Sequence, residues 1–344
     1  MMFAKRVLPV VLAIGSALTA NAQSAGKLKI FFMDVEGGQA TLFVTPAGES
    51  LLIDTGWPGN NGRDADRIVA EAKKAGLSKI DYVLITHYHD DHVGGVPQLV
   101  ARIPVGTFID HGPNRELTPG VDHDYAEYQK VLATGKSKHL VLKPGEVLPI
   151  KGFHATVISA DGALIAHSLS GAGQPNEACK TSPTKPADQT ENARSLGIEI
   201  DFGKLKLLDL GDLTWDKEME LMCPTNKLGK IDILVVSHHG WYQSSSPALV
   251  HGIHPRVAIM DNGEKKGGSP GTLDTLNSTP GLEALYQLHF ATESTTKNAP
   301  TERIANLQGT VPDAGNPLEL TASKDGSFSI TNTRTKETKL FPAR

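Results

Sequence analysis

Cysteine is scarce in this chain: Cys179 and Cys223 are the two present in 344 residues. That excludes a small fold framed by disulfides and any zinc module built on repeated CxxC pairs. Positive charge is not in excess, with 34 Lys+Arg against 38 Asp+Glu and a net charge of −4. Such a chain lacks the basic footprint that tight non-specific binding of long nucleic acid requires. No apolar run reaches the roughly 20 residues of a comfortable membrane span. What the chain has in quantity is glycine (34), proline (21) and hydrophobic residues (39%). The hydrophobic content and modest net charge exclude a disordered protein. The length supports a sizeable core in one large domain or two small ones. Abundant Gly and Pro favour a loop-rich α/β or β protein over a helical bundle.

The first 22 residues read as a secretory leader. Lys5 and Arg6 form its basic start, residues 7–18 its apolar run, and Ala20-Asn21-Ala22 a small-x-small cleavage site before Gln23. The expected location is therefore periplasmic or secreted, and loss of Lys5 and Arg6 makes the mature chain more acidic still. An oxidising compartment leaves two states open for Cys179 and Cys223: a disulfide tying down the polar stretch around 167–191, or two separate thiols.

Beyond the leader, residues 27–331 read as a single domain. Residues 27–34 alternate as a strand. Residues 40–45 and 50–54 are two more strands around a Pro46-Ala47-Gly48-Glu49 turn. Residues 64–75 carry an apolar helical face stopped by Gly76. Residues 80–85 are a short apolar strand delivering Thr86-His87. Helices are expected near 97–102 and 122–133, and strands near 107–110, 155–159, 195–202, 206–210, 231–237, 257–260, 318–323 and 327–331. The Ser/Gly/Pro/Lys-rich segment 168–190 is a polar loop insertion, and 332–344 a C-terminal tail.

The chemistry concentrates in Thr86-His87-Tyr88-His89-Asp90-Asp91-His92, with three His and two Asp in six residues after an apolar strand. Neutral imidazole and carboxylate are the ligand types of zinc and similar divalent ions. In an extended loop His87 and His89 point to one side. Asp91 and His92 then face a second position roughly 3.5–4 Å away, the usual separation of a two-metal site. Two further apolar strands end in ligand-type residues: 207–212 in Gly211-Asp212, and 235–239 in His238-His239. Strand ends meeting at one edge are how α/β proteins build sites.

With these residues the chain resembles the metallo-β-lactamase-fold hydrolases. The family's HxHxDH motif appears as His87, His89, Asp91 and His92. Its Asp-Thr-Gly motif appears as Asp54-Thr55-Gly56, its Gly-Asp motif as Gly211-Asp212, and its late histidine as His238. Within the family the chain is most similar to the metallohydrolase domain of the competence protein ComEC. That branch's opening motif appears in altered form as Asp34-Val35-Glu36-Gly37-Gly38-Gln39-Ala40. Its Asn-x-x-Ser motif is Asn192 to Ser195, and its His-His-Gly and Ser-Ser-Ser motifs are His238-His239-Gly240 and Ser244-Ser245-Ser246. The resemblance implies a four-layer αββα sandwich with one or two divalent metal ions at one edge, zinc first and manganese as the alternative. It implies metal ligation by His87, His89, Asp91, His92, Asp212 and His238, with Asp212 bridging.

Asp91 and His239 are the implied catalytic residues, His239 as acid or oxyanion partner. Asn192, Ser195, Trp241 and Ser244 are the implied substrate contacts. The family's third histidine for the first metal falls here on Glu191-Asn192, and His111, His123 and His167 are the candidates to replace it. The expected reaction is hydrolysis by metal-activated water of a small-molecule or short phosphodiester or related phosphate ester. A carboxylic ester, lactone or β-lactam is the alternative substrate, and a metal-binding recognition protein without turnover the alternative of a different class. Substrate choice is assigned to loops 111–125, 168–190 and 262–271.

Overall fold

The computed structural model describes residues 26–309 and 314–344, so the expected leader lies outside the described residues. Strands β1 (Leu28–Phe32), β2 (Thr41–Val44) and β3 (Ser50–Ile53) form an antiparallel meander. The β2–β3 turn closes where Pro46–Glu49 predicted it, with the Glu49 carbonyl accepting from Thr45 N–H and Gly48 at φ 80°. Then β4 (Ile80–Leu84), β5 (Val105–Asp110) and β6 (Lys138–Val141) add in parallel. A second group comprises β7 (His154–Ala160), β8 (Ala163–Leu164), β10 (Gly197–Phe202), β11 (Leu205–Asp209), β13 (Ile233–Val235), β14 (Val257–Met260), β15 (Ala284–His289) and β16 (Ile304–Asn306). β9 (Gln174–Pro175) and β12 (Thr225–Asn226) make a small separate pair, and β17 (Leu318–Ala322), β18 (Phe328–Asn332) and β19 (Glu337–Phe341) return to the first sheet. The two large sheets have the orders β19-β18-β17-β1-β2-β3-β4-β5-β6 and β16-β15-β14-β13-β11-β10-β7-β8.

The period-2 rule of strands explains the layering. Ile30, Phe32, Phe43 and Ile53 point inward and pack with Val157, Ile198, Ile200, Leu207, Ile233 and Val235 of the other sheet. The alternate residues Leu42, Leu52, Val83 and Phe108 face outward. They are covered by helices α1 (Arg63–Lys74), α2 (Asp90–Val93), α3 (Val96–Val100) and α4 (Pro119–Ala133), through Ile68, Ala72, Leu99 and Tyr128. On the far side Leu208, Leu234 and Ala258 meet α5 (Trp215–Met222), α6 (Pro247–Ile253) and α7 (Pro270–Asn277), through Leu221, Leu249 and Leu273. The order of layers is α, β, β, α, as expected.

Some expectations need correction. The chain past Thr331 is no tail: β19 pairs with β18, and Phe341 is buried with its ring stacked on Phe328 at 4.7 Å. The strand expected over 231–237 stops at Val235, because His238 and His239 take left-handed backbone angles (φ 57° and 52°). The polar insertion is pinned by a disulfide between Cys179 and Cys223 and by Asn176, whose side-chain amide donates to the carbonyls of Met222 and Ala248.

Candidate metal centre

Each predicted ligand sits just past the C-terminal end of a strand, at the same edge of the sandwich. His87 follows β4, Asp212 follows β11, and His238 and His239 follow β13. Parallel strands end together at such an edge, so residues far apart in sequence converge there. Gly211 is required at its position: its φ is 55°, and a Cβ on it would lie 2.8 Å from the Thr86 side chain. Close approach of the β11 and β4 tips sets the distance between Asp212 and the histidine loop.

Asp212 organises the centre. Its Oδ1 lies 3.4 Å from His92 Nε2 and 3.5 Å from His239 Nε2. Its Oδ2 lies 3.3 Å from His238 Nε2 and 3.9 Å from His87 Nε2. The carboxylate thus looks into two lobes. In the first, Asp91 Oδ2 is 3.3 Å from His92 Nε2 and 3.0 Å from His239 Nε2, and those two imidazole nitrogens are 3.2 Å apart. Ligand atoms of Asp91, His92, Asp212 and His239 all lie within 4.8 Å of one another, and all four residues are buried. In the second lobe His89 Nδ1 is 3.1 Å from His87 Nε2.

The other nitrogen of most rings is held from behind, which fixes ring orientation as in metal sites. Asp54 Oδ2 lies 2.7 Å from His92 Nδ1, Thr86 Oγ1 lies 3.0 Å from His87 Nδ1, and Glu116 Oε2 lies 3.0 Å from His89 Nε2. Asp261 Oδ1 lies 3.3 Å from His239 Nδ1. Asp54 belongs to the Asp-Thr-Gly motif and was visible in the sequence. Asp261 was not singled out, although it follows the apolar strand β14 as the other site residues follow theirs.

The electrostatics of the lobes differ. Burial depresses His87 well below the ordinary imidazole range and takes His238 down to about 4, so both are neutral. Neutrality is the state a metal-ligating imidazole needs. For His92 and His239 burial acts in the same direction but is outweighed. Asp212, Asp91 and Asp54 raise His92 well above its usual range, and Asp212 with Asp261 takes His239 up to about 9. Asp91 and Asp212 are raised by burial, yet the surrounding cations hold both well below the usual carboxylate range. Asp212 Oδ1 is buried with no hydrogen-bond partner. An unbonded buried carboxylate oxygen facing two imidazole nitrogens and a second carboxylate fits a divalent cation.

The remaining candidates divide. Asn192 is buried, and its Oδ1 has no hydrogen-bond partner. Trp241 is half-buried, with its ring stacked on His238 at 6.3 Å. Ser195 and Ser244, expected at the substrate, are fully buried instead. The Ser195 hydroxyl accepts from Asp212 N–H at 3.2 Å, and Ser244 Oγ lies 3.4 Å from His238 Nδ1. Both positions brace the centre from behind. His239, expected as an acid, has Nε2 turned to Asp91 and Asp212 of the first lobe and Nδ1 turned to Asp261 behind it. The slot of the absent third histidine is not filled by His111, which is buried and 3.0 Å from Glu191 Oε2. Nor is it filled by His123, which pairs with Asp124, or by the exposed His167. His238 faces the Oδ2 side instead. Sequence reasoning also missed Lys266, whose ammonium contacts Asp91 Oδ2.

Residues 33–173 match the family described as the metallo-beta-lactamase superfamily. The chain is 27% identical over 234 residues to Recombination protein 2 of Haemophilus influenzae, covering 67% of this chain and 24% of that protein. It is 24% identical over 192 residues to ComE operon protein 3 of Bacillus subtilis, covering 55% of this chain and 21% of that one. A metal-dependent hydrolase of Cupriavidus taiwanensis is 24% identical over 270 residues, 76% of this chain and 83% of its own. The chain thus spans less than a quarter of the first two relatives and most of the third. The motifs, the paired sheets and the converging His/Asp edge agree with the family match, and residues 33–173 carry a metallo-beta-lactamase superfamily domain.

Proposed function

We propose that this protein is an exported phosphodiesterase or related phosphate-ester hydrolase that uses two divalent ions, zinc first. The observation carrying this reading is the Asp212 carboxylate, with one oxygen toward His92 and His239 and the other toward His87 and His238. Paired metal positions bridged in this way suit in-line displacement at phosphorus. Asp91, His92, His239 and Asp212 would hold one ion, and His87, His89, His238 and Asp212 the other. Bound there, the ions supply Lewis acidity and lower the pKa of a water toward about 7.

The protein's own groups do the positioning. Asp54, Thr86, Glu116 and Asp261 fix the imidazoles, and Ser195 fixes Asp212. Asn192 Oδ1, buried and unbonded, is available to a substrate or water donor. Trp241 offers a flat apolar wall for the part of the substrate beyond the ester. Export is supported by the basic–apolar–small pattern of residues 1–22 and by the Cys179–Cys223 disulfide.

The test is turnover of bis(p-nitrophenyl) phosphate, a lactone and a chromogenic cephalosporin by zinc-loaded protein. Phosphodiester cleavage lost in His87→Ala and Asp91→Ala is the expected result. Cleavage of the lactone or cephalosporin alone moves the assignment to acyl substrates.

A further inference from the structure

The Lys266 ammonium contacts Asp91 Oδ2, the same oxygen that faces His92 Nε2 and His239 Nε2. A side-chain cation is therefore delivered to the one carboxylate that belongs to the first lobe alone. Among the described residues no lysine or arginine pairs with Asp212 or reaches the second lobe in this way.

The placement of Lys266 is built into the backbone. Gly268 N–H donates to the His239 carbonyl and Ser269 N–H to the Gly240 carbonyl, each at 2.9 Å. Gly263 N–H donates to the Lys266 carbonyl at 2.9 Å, and Thr292 N–H to that of Glu264 at 3.0 Å. Gly267 has φ 78°, and a Cβ on it would lie 2.1 Å from the His239 carbonyl oxygen. The loop carrying Lys266 is thus laced to the turn carrying His239. The ammonium also lies 4.5 Å from the centre of the Trp57 ring, a favourable cation–π contact. Lys266 is 25% exposed at its side chain, so it is in contact with solvent as well as with Asp91.

An ammonium and a divalent ion cannot share one carboxylate oxygen without like-charge repulsion, which is strong at a buried site. Lysine's flexible stem allows withdrawal toward Trp57. We propose that Lys266 is a tethered cation that competes with a divalent ion for Asp91. The Asp91–His92–His239 position then loads after, and more weakly than, the His87–His89–His238 position. This rests on the two-ion reading above, and deepens it by making the second ion conditional.

The experiment is a zinc titration of chelator-treated whole protein in competition with a chromogenic chelator. The wild type should show one tight and one weaker zinc. Lys266→Met should tighten the weaker zinc by about tenfold or more and leave the tight one unchanged. Lys266→Gln should do the same with a polar end, and Lys266→Arg should keep the two classes apart. Zinc-saturated Lys266→Met should unfold at or above the wild-type temperature. Superimposable isotherms for wild type and Lys266→Met, with two zinc ions bound in each, overturn this inference and leave the two-ion reading standing. Absence of zinc binding in every variant overturns both.

Discussion

His92 Nδ1 lies 2.7 Å from Asp54 Oδ2, and the same carboxylate accepts the backbone N–H and the hydroxyl of Thr86. Asp54 is fully buried and sits at φ 58°, a left-handed angle uncommon for aspartate. Its three contacts tie the end of β3 to the histidine loop after β4. Asp54→Asn replaces an acceptor of three bonds with an amide that can accept on one atom only. Zinc affinity of the first lobe is expected to fall about 10–100-fold, in the range seen when such supporting groups are removed. Chelator competition measures it, and an unchanged affinity would show that Asp54 serves folding alone.

The split of Asp212 between two lobes predicts that adjacent histidines have separable effects. His239→Ala removes a donor from the lobe of Asp91 and His92, whereas His238→Ala removes one from the lobe of His87. Each variant is expected to lose about one of two zinc equivalents, and each to lose phosphodiester turnover. Metal analysis of the two purified variants tests this. Complete loss of zinc in one variant and none in the other would reduce the centre to a single ion.

Most of this centre was legible before the structure because its residues follow a simple rule: an apolar run, then a ligand. His87, Asp212 and His238 all obeyed it. What the sequence could not show is direction. Ser195 and Ser244 lie in motifs beside the ligands, yet their hydroxyls turn inward to Asp212 N–H and His238. His238 and His239 could not be told apart because two consecutive left-handed residues send their side chains to different lobes. Lys266 arrives from a glycine-rich loop, six residues past the end of β14, so no apolar run adjoins it. In the fold, β19 escaped notice because it is an edge strand with a single buried side chain, Phe341, and so has no apolar period. β6 was missed for the same reason, all four of its residues being exposed.

The Cys179–Cys223 bond joins the polar insertion to the end of α5 across 44 residues of sequence. Closing a loop of that length removes unfolded-state entropy worth roughly 4 kcal/mol in the chain-entropy account, with about 2–4 kcal/mol typical of measurement. The double variant Cys179→Ser/Cys223→Ser should lose stability in that range in denaturant unfolding. Neither cysteine touches a metal-lobe residue, so its zinc isotherm should match the wild type. A variant as stable as the parent would mean that Asn176 and the β9–β12 pair hold the insertion unaided.

Glu218 predicts a pH dependence that the metal centre does not supply. Its carboxyl is fully buried in α5 and accepts the N–H groups of Ser245 (2.8 Å) and Ser246 (2.6 Å), at the start of α6. Burial takes it up to about 7, against the partial counter-pull of the two serines and Lys185. The unfolded chain ionises it near its ordinary value of 4.5. Between those values the folded protein keeps a proton that the unfolded chain has released. Stability associated with this group is therefore full below about pH 4.5 and declines as pH rises toward 7, by about 3 kcal/mol in all. Glu218→Gln carries a cost that does not vary with pH, because one amide hydrogen must face a serine N–H. The stability of the wild type relative to Glu218→Gln should then be greatest near pH 5 and shrink by pH 8. Parallel pH profiles for the two proteins would show that Glu218 is ionised in the fold throughout, and that the two serine N–H donors outweigh its burial.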